Sequence, residues 1–317
     1  MFTIRPLRPV SRLAFIFFFG YGCAYQDLSK PISIDEAYAM TLIGSITGHG
    51  KTLVSFTPKL PQSHYYLFNY QDRTVIRMEG RALGNLLPKL LLTNSGFGVL
   101  DPFKKKLVLL DPNLEILSKE DLRHFKGHQE EHFYRSVSPY GPNQALITTW
   151  QSESNTLGFA LLNLNEKTVE QLFNFDPDET KKGNFWGFAN ETLYYFDQTY
   201  RLVEIWDPVS FERKKSLLPK RDPVKNKNYS TIFDSPVNTR YQGLIMNPVF
   251  TNIGVLVLED LSLDSAVDHF KITDKRMLLV ENQKALIQPF GPVKVGEWEG
   301  VQLIFDMDTG DFSFKDP

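Results

Sequence analysis

Short apolar runs, each closed by a polar turn, recur along nearly the whole chain. Beyond about residue 45 almost every segment reads as a strand of roughly four to six residues followed by a turn. One unit recurs: an apolar run, an Asp or Asn, a polar turn, then an alternating strand. It appears in "YYLFNYQDRTVIRM" with Asn69, "LVLLDPNLEIL" with Asp111 and "FALLNLNEKTVEQLF" with Asn163. It appears again in "LVEIWDPVSFERK" with Asp207 and "LIFDMDTGDFSF" with Asp306, and a weaker copy, "VLVLEDLSL", puts Glu259 in the slot. Successive copies are 42, 52, 44, 52 and 47 residues apart. An Asx side chain accepts a hydrogen bond from a backbone N–H two residues on, which gives the repeated residue a physical reason to be there.

Several copies carry a further strand upstream. Phe97–Leu100 precedes Leu107–Leu110, Ala145–Thr149 precedes Leu157–Leu162, and Leu193–Phe196 precedes Leu202–Trp206. Three or four antiparallel strands every 40 to 50 residues or so predict the blades of a β-propeller. The expected fold is therefore all-β, a propeller over residues 45–317, with six blades and seven as the rival count. The grammar resembles that of the divergent YVTN, NHL and quinoprotein-like propellers. The stretch 208–300 fits least well, and an inserted loop is expected around Pro219–Tyr229. An outer-membrane barrel needs alternating strands of about ten residues, longer than these runs.

Composition supports this reading. Hydrophobic residues make up 42% of the 317 positions, which excludes a disordered chain. Aromatic content of 13%, with 25 Phe and 13 Tyr, leans toward β-structure. The net charge of −2 provides no long-range field for nucleic acid, and no nucleic-acid partner is expected.

The start of the chain has a different pattern. Arg5, Arg8 and Arg12 precede the apolar run Leu13–Gly20, the layout of a secretory signal peptide over residues 1–22. Eight apolar residues rise only about 12 Å as a helix, too short to span roughly 30 Å of hydrocarbon. Gly22 and Cys23 follow, and Cys23 is the only cysteine. This resembles the lipobox of bacterial lipoproteins, although Gly20 and Tyr21 depart from its usual residues. The resemblance implies lipid on Cys23, attachment to a membrane through it, and a cell-envelope address, with the outer membrane favoured. The competing reading is cleavage near Ala24, giving a soluble periplasmic or secreted protein. Residues 23–44 then form a lipidated tether, with a short helix started by the capping-box pair Ser33 and Glu36.

Several motifs suggest chemistry without specifying it. "ITGHGKT" at 46–52 lacks the first glycine of a phosphate-binding loop, because Ser45 stands there, so a turn is expected. His124, His128 and His132 are spaced four apart and on one helix would share a metal-binding face. Gly127 and the strand-like "HFYRSVS" oppose such a helix, and an exposed loop is the favoured reading. "DMDTGD" reads as a turn rather than a calcium loop. "DPFKKK" and Lys214–Lys227 read as solvated basic loops, and the four tryptophans as core. No catalytic residue, cofactor or resident metal is assigned.

Three functions compete. The first is a non-catalytic interaction module of the envelope, gripping a protein or a polymer. The second is an envelope hydrolase or lyase, which requires His, Asp or Glu converging at the propeller axis. The third is a small-molecule or glycan receptor, which requires exposed aromatic residues around one mouth of the disc. The first is favoured.

Overall fold

The computed structural model describes residues 25–27, 32–33, 42–59, 62–79, 88–151, 156–175, 185–189, 192–196, 203–217, 220–221, 249–251, 254–264, 271–281, 283–289 and 291–317. The signal-like run, Cys23, the segment expected to be a short helix and most of the expected inserted loop lie outside these residues.

The described strands form small sheets arranged as a β-propeller. Two short strands come first, β1 (Tyr25–Asp27) and β2 (Ile32–Ser33). The first sheet contains β3 (Leu42–Gly48), β4 (Lys51–Lys59), β5 (Gln62–Asn69) and β6 (Thr74–Glu79). The second contains β7 (Lys89–Thr93), β8 (Gly96–Asp101), β9 (Lys106–Leu110) and β10 (Ile116–Asp121). The third contains β11 (His132–Gly141), β12 (Gln144–Gln151), β13 (Thr156–Asn163) and β14 (Thr168–Phe175). The fourth contains β15 (Phe185–Ala189), β16 (Thr192–Phe196), β17 (Val203–Trp206) and β18 (Arg213–Leu217).

The fifth sheet contains β19 (Lys220–Arg221), β20 (Val249–Thr251), β21 (Gly254–Asp264), β22 (Lys271–Glu281) and β23 (Lys284–Pro289). The last contains β24 (Pro292–Trp298), β25 (Val301–Asp306) and β26 (Asp311–Lys315). The N-terminal strands extend two of these sheets at their outer edges. β1 pairs with β6, and β2 pairs with β26, so a single segment borders the first sheet and the last.

The repeated Asx residue does what the sequence suggests in five sheets, between the third and fourth strands counted from the axis in the first four and between the second and third in the last. Asn69 Oδ1 accepts from the amide of Gln71 at 3.0 Å, and Asp111 Oδ1 from Asn113 at 2.8 Å and Glu115 at 2.7 Å. Asn163 caps Asn165 at 3.1 Å, Asp207 caps Val209 at 2.8 Å, and Asp306 caps Asp308 at 2.8 Å.

The weak copy behaves differently. Glu259 lies inside β21, paired in register with Arg276, and forms no turn. The fifth sheet is also irregular in having two strands of 11 residues and a parallel β19–β23 pairing. Among the described residues, five regular, Asx-punctuated blades therefore replace the expected six. The physical reason is that a glutamate cannot make the short Asx turn, so the strand continues past it, with a bulge between Glu259 and Leu261.

Side-chain alternation explains how the five blades pack. On β4, Leu53 is buried in the seam with the second sheet, whereas its neighbour Val54 is buried in the seam with the last. On β12, Leu146 faces the fourth sheet and Ile147 the second. Each strand serves two cores, hence runs such as "LVLL" that are apolar on both faces. The seam between first and last sheets is aromatic: Phe68 and Phe312 lie 4.4 Å apart, Phe305 and Phe312 4.7 Å, and Phe56 and Phe305 5.5 Å. Nearest the axis, β3 lies between β7 and β24, β7 beside β11, and β11 beside β15. β20 approaches β15, β11 and β3 together.

Candidate functional site

Among the described residues, a group of ionisable and aromatic side chains lies at the seam of the second and third blades, on the face where the innermost strands begin. Its first part is the turn between β8 and β9. Asp101 Oδ1 accepts from the amides of Phe103 and Lys104, both at 3.0 Å, which fixes the turn. Lys105 closes it in the left-handed region, with φ of 55°. The second part is the start of β11, with the loop before it.

Lys105 joins the two parts. Its Nζ donates to Glu130 O at 2.9 Å, lies 3.3 Å from His128 Nε2, and sits 5.4 Å from the centre of the Tyr134 ring. His128 Nδ1 is 2.9 Å from the Tyr134 hydroxyl. The ammonium can only donate, so Nε2 must accept and the imidazole proton belongs on Nδ1, which donates to Tyr134. Burial, then the charge of Lys105, pushes the His128 pKa down. Burial also lowers that of Lys105, opposed by Glu130, and raises that of the Tyr134 phenol. His132, the buried first residue of β11, is likewise pushed down by burial. A cluster of shifted groups in one seam marks a candidate site.

Two aromatic rings flank this seam and face solvent. Phe103, at the tip of the β8–β9 turn, is 69% exposed, and Phe133, between buried His132 and Tyr134, is 61% exposed. The nearby carboxylate of Asp121 is satisfied by ion pairs. Asp121 takes Lys106 as one partner and Arg123 at 2.7 Å as the other, and these hold its carboxyl far below the usual range.

The three histidines do not converge as a helical face would require. His124 ends a short 3₁₀ turn, Leu122–His124, and is exposed; His128 lies in the following loop; His132 begins a strand. Gly127, at φ of 81°, breaks any continuous helix between them. Among the described residues no three His, Cys, Asp or Glu side chains are placed to hold a metal ion.

The remaining motifs are structural where they are described. His49 and Gly50 form the β3–β4 turn, and Lys51 Nζ donates to Pro112 O and Asn113 Oδ1 of the next blade, both at 2.8 Å. "DMDTGD" is the Asp306 turn. Lys214 sits on the exposed strand β18 and pairs with Asp207; residues 222–227 lie outside the described ones. Trp186 is buried against Phe159 at 5.5 Å and Trp206 at 5.2 Å.

Sequence reasoning passed over Phe103, Phe133 and Lys105. An apolar residue at the tip of the polar turn "DPFKKK" was the available signal for Phe103. For Lys105 no local signal exists, because its partners come from a different blade.

No family model matches the chain, and no curated protein matches it. Solved structures with a similar arrangement include a luciferin-regenerating enzyme, 10% identical, covering 90% of this chain and 94% of that one with a TM-score of 0.48. A glutaminyl cyclase of Myxococcus xanthus is 11% identical over 71% of this chain and 89% of its own, with a TM-score of 0.35. A β-propeller domain from Myceliophteria thermophila is 8% identical over 85% of this chain and 68% of its own, also at 0.35. These likenesses concern the fold alone.

Proposed function

We propose that the chain is a binding module of the bacterial cell envelope, held at a membrane by lipid on Cys23, which grips an envelope protein or polymer through the seam of its second and third blades. The observation supporting this reading is the pair of exposed rings, Phe103 and Phe133, on either side of a seam fixed by Lys105, His128 and Tyr134. Exposed aromatics on a rigid support have the composition of interaction hot spots, since little side-chain freedom is lost on contact. Loops between rigid strands are also where propellers vary.

Cross-linking in intact envelopes tests the binding half. A partner captured by the wild-type protein and lost with the Phe103→Ser/Phe133→Ser variant is the expected result; equal capture by both would remove the seam from the proposal. The mass of the mature N-terminus tests the tether: diacylglycerol on Cys23 is expected, and an unmodified N-terminus near Ala24 would replace it with a soluble protein.

A further inference from the structure

We propose that His128 is a proton-operated latch between the two halves of the candidate site: neutral, it holds Phe103 and Phe133 at a fixed spacing, and protonated, it lets them part. The use of this latch to release a partner rests on the binding function proposed above, whereas the latch itself does not.

A chain of hydrogen bonds ties the β8–β9 turn to β11. Lys105, two residues after Phe103, donates to Glu130 O at 2.9 Å and lies 3.3 Å from His128 Nε2. His128 Nδ1 is 2.9 Å from the hydroxyl of Tyr134, the neighbour of Phe133. The ring can accept from Lys105 and donate to Tyr134 at once only while it is neutral. The first proton of the pair stays on the more basic lysine, so acid adds a second positive charge 3.3 Å from the first. Nε2–H then faces an ammonium with no lone pair between them. Lys105 is partly exposed on a turn and is the side chain free to swing away. Its departure breaks the bond to Glu130 O and removes the cation from the Tyr134 ring, so turn and strand lose these ties together.

The other titratable groups around the ring do not cancel this repulsion. Glu130 and Glu131, on its own loop, and Asp121, at the end of β10, favour the protonated ring; burial and Lys105 outweigh them, and its pKa lies below 6.5. Both glutamates are exposed, where water screens their attraction, and Asp121 is already paired with Lys106 and Arg123. On the β8–β9 turn, Lys104 pairs with Asp101 at 3.8 Å. On β11, burial keeps the Tyr134 phenol protonated, and His132 is itself pushed down by burial and by Lys105. Arg135 on the same strand has its side chain outside the described set. The latch is therefore closed above pH 6.5 and opens as the pH falls below it.

Spin labels on Phe103→Cys and Phe133→Cys, in the full chain carrying Cys23→Ser so that these are the only thiols, report the spacing with no partner present. A narrow distance distribution is expected at pH 7.5 and a broad one at pH 5. The ratio of broad to narrow changes by at most about tenfold per pH unit, the limit for one proton. His128→Gln stays narrow at both pH values, because glutamine accepts from Lys105 and donates to Tyr134 without titrating. A distribution unchanged by pH, or one that broadens equally in His128→Gln, overturns the latch. A second measurement follows the ring nitrogens of His128 by NMR in the unlabelled wild type. The Nδ1-protonated tautomer is expected above pH 6.5, and the Nε2-protonated one overturns the proposal. A latch that opens in these assays while no partner is captured in envelopes sinks the binding function and leaves the latch standing.

Discussion

The side-chain oxygen of Asn143, in the turn after innermost strand β11, lies 2.9 Å from the backbone N of Asn94, in the equivalent turn of the preceding blade. The backbone N of Asn143 donates to Leu92 O at 2.9 Å, and its Nδ2 donates to Asn165 Oδ1 at 2.9 Å. One buried residue therefore fastens two blades and two turns. Its φ of 60° is in the left-handed region, where asparagine is tolerated better than most residues.

Asn143→Ala should therefore combine lost hydrogen bonds with backbone strain and destabilise the protein by about 1–3 kcal/mol. Asn143→Gly keeps the backbone relaxed and should cost less. Denaturant unfolding of the two variants checks the order; equal stability of Asn143→Ala and wild type would show that the clamp contributes nothing.

Gly296 lies against a chain of hydroxyls. Thr47 and Thr52 are 2.8 Å apart, as are Thr52 and Tyr70, and a methyl on Gly296 would come within 2.3 Å of Thr52 Oγ1 and 2.5 Å of the Tyr70 hydroxyl. Gly296→Ala should cost about 1–3 kcal/mol by overpacking the seam of first and last blades. Burial raises the Tyr70 phenol to about 12, so its ultraviolet titration should come after that of the exposed tyrosines and move in this variant.

Acid should weaken the second seam. His128 and His132 both have folded pKa values below their ordinary 6.5. Above 6.5 both are neutral in either state and their contribution is intact; below it the unfolded chain takes up protons first, so stability falls toward the lower folded values. His128→Gln should flatten the decline in Tm between pH 7 and 5, and an unchanged slope would place the effect elsewhere.

Removing residues 1–33 takes away β1 and β2 and exposes the outer edges of β6 and β26. Amide exchange should then rise at least tenfold at Thr74–Ile76 and around Phe312, the paired positions, while Ile147 in the third blade stays protected. Uniform protection would show that the N-terminal strands do not hold the edges.

The fold was largely legible because the Asx turn is a local device. Asn69, Asp111, Asn163, Asp207 and Asp306 each bond to amides two or three residues on, and that spacing is visible in sequence. Glu259 was misread because apolar residues flank it as they flank the others; only the longer side chain argued against a turn. The candidate site was less legible. Lys105 contacts His128 and Tyr134, 23 and 29 residues away, across a blade boundary that no local pattern marks. The loop carrying His124 and His128 was legible, because Gly127 already opposed the helix that the histidine spacing alone would allow.

The pairing of Ile32 with Phe312 constrains the order of assembly. Phe312 is made 280 residues after Ile32, so β2 must wait, unpaired on that side, until the last sheet has emerged. Middle blades can form during synthesis, but the circle can be completed only afterwards. Loss of the last few residues should therefore leave a chain that collapses normally yet stays open and prone to aggregate.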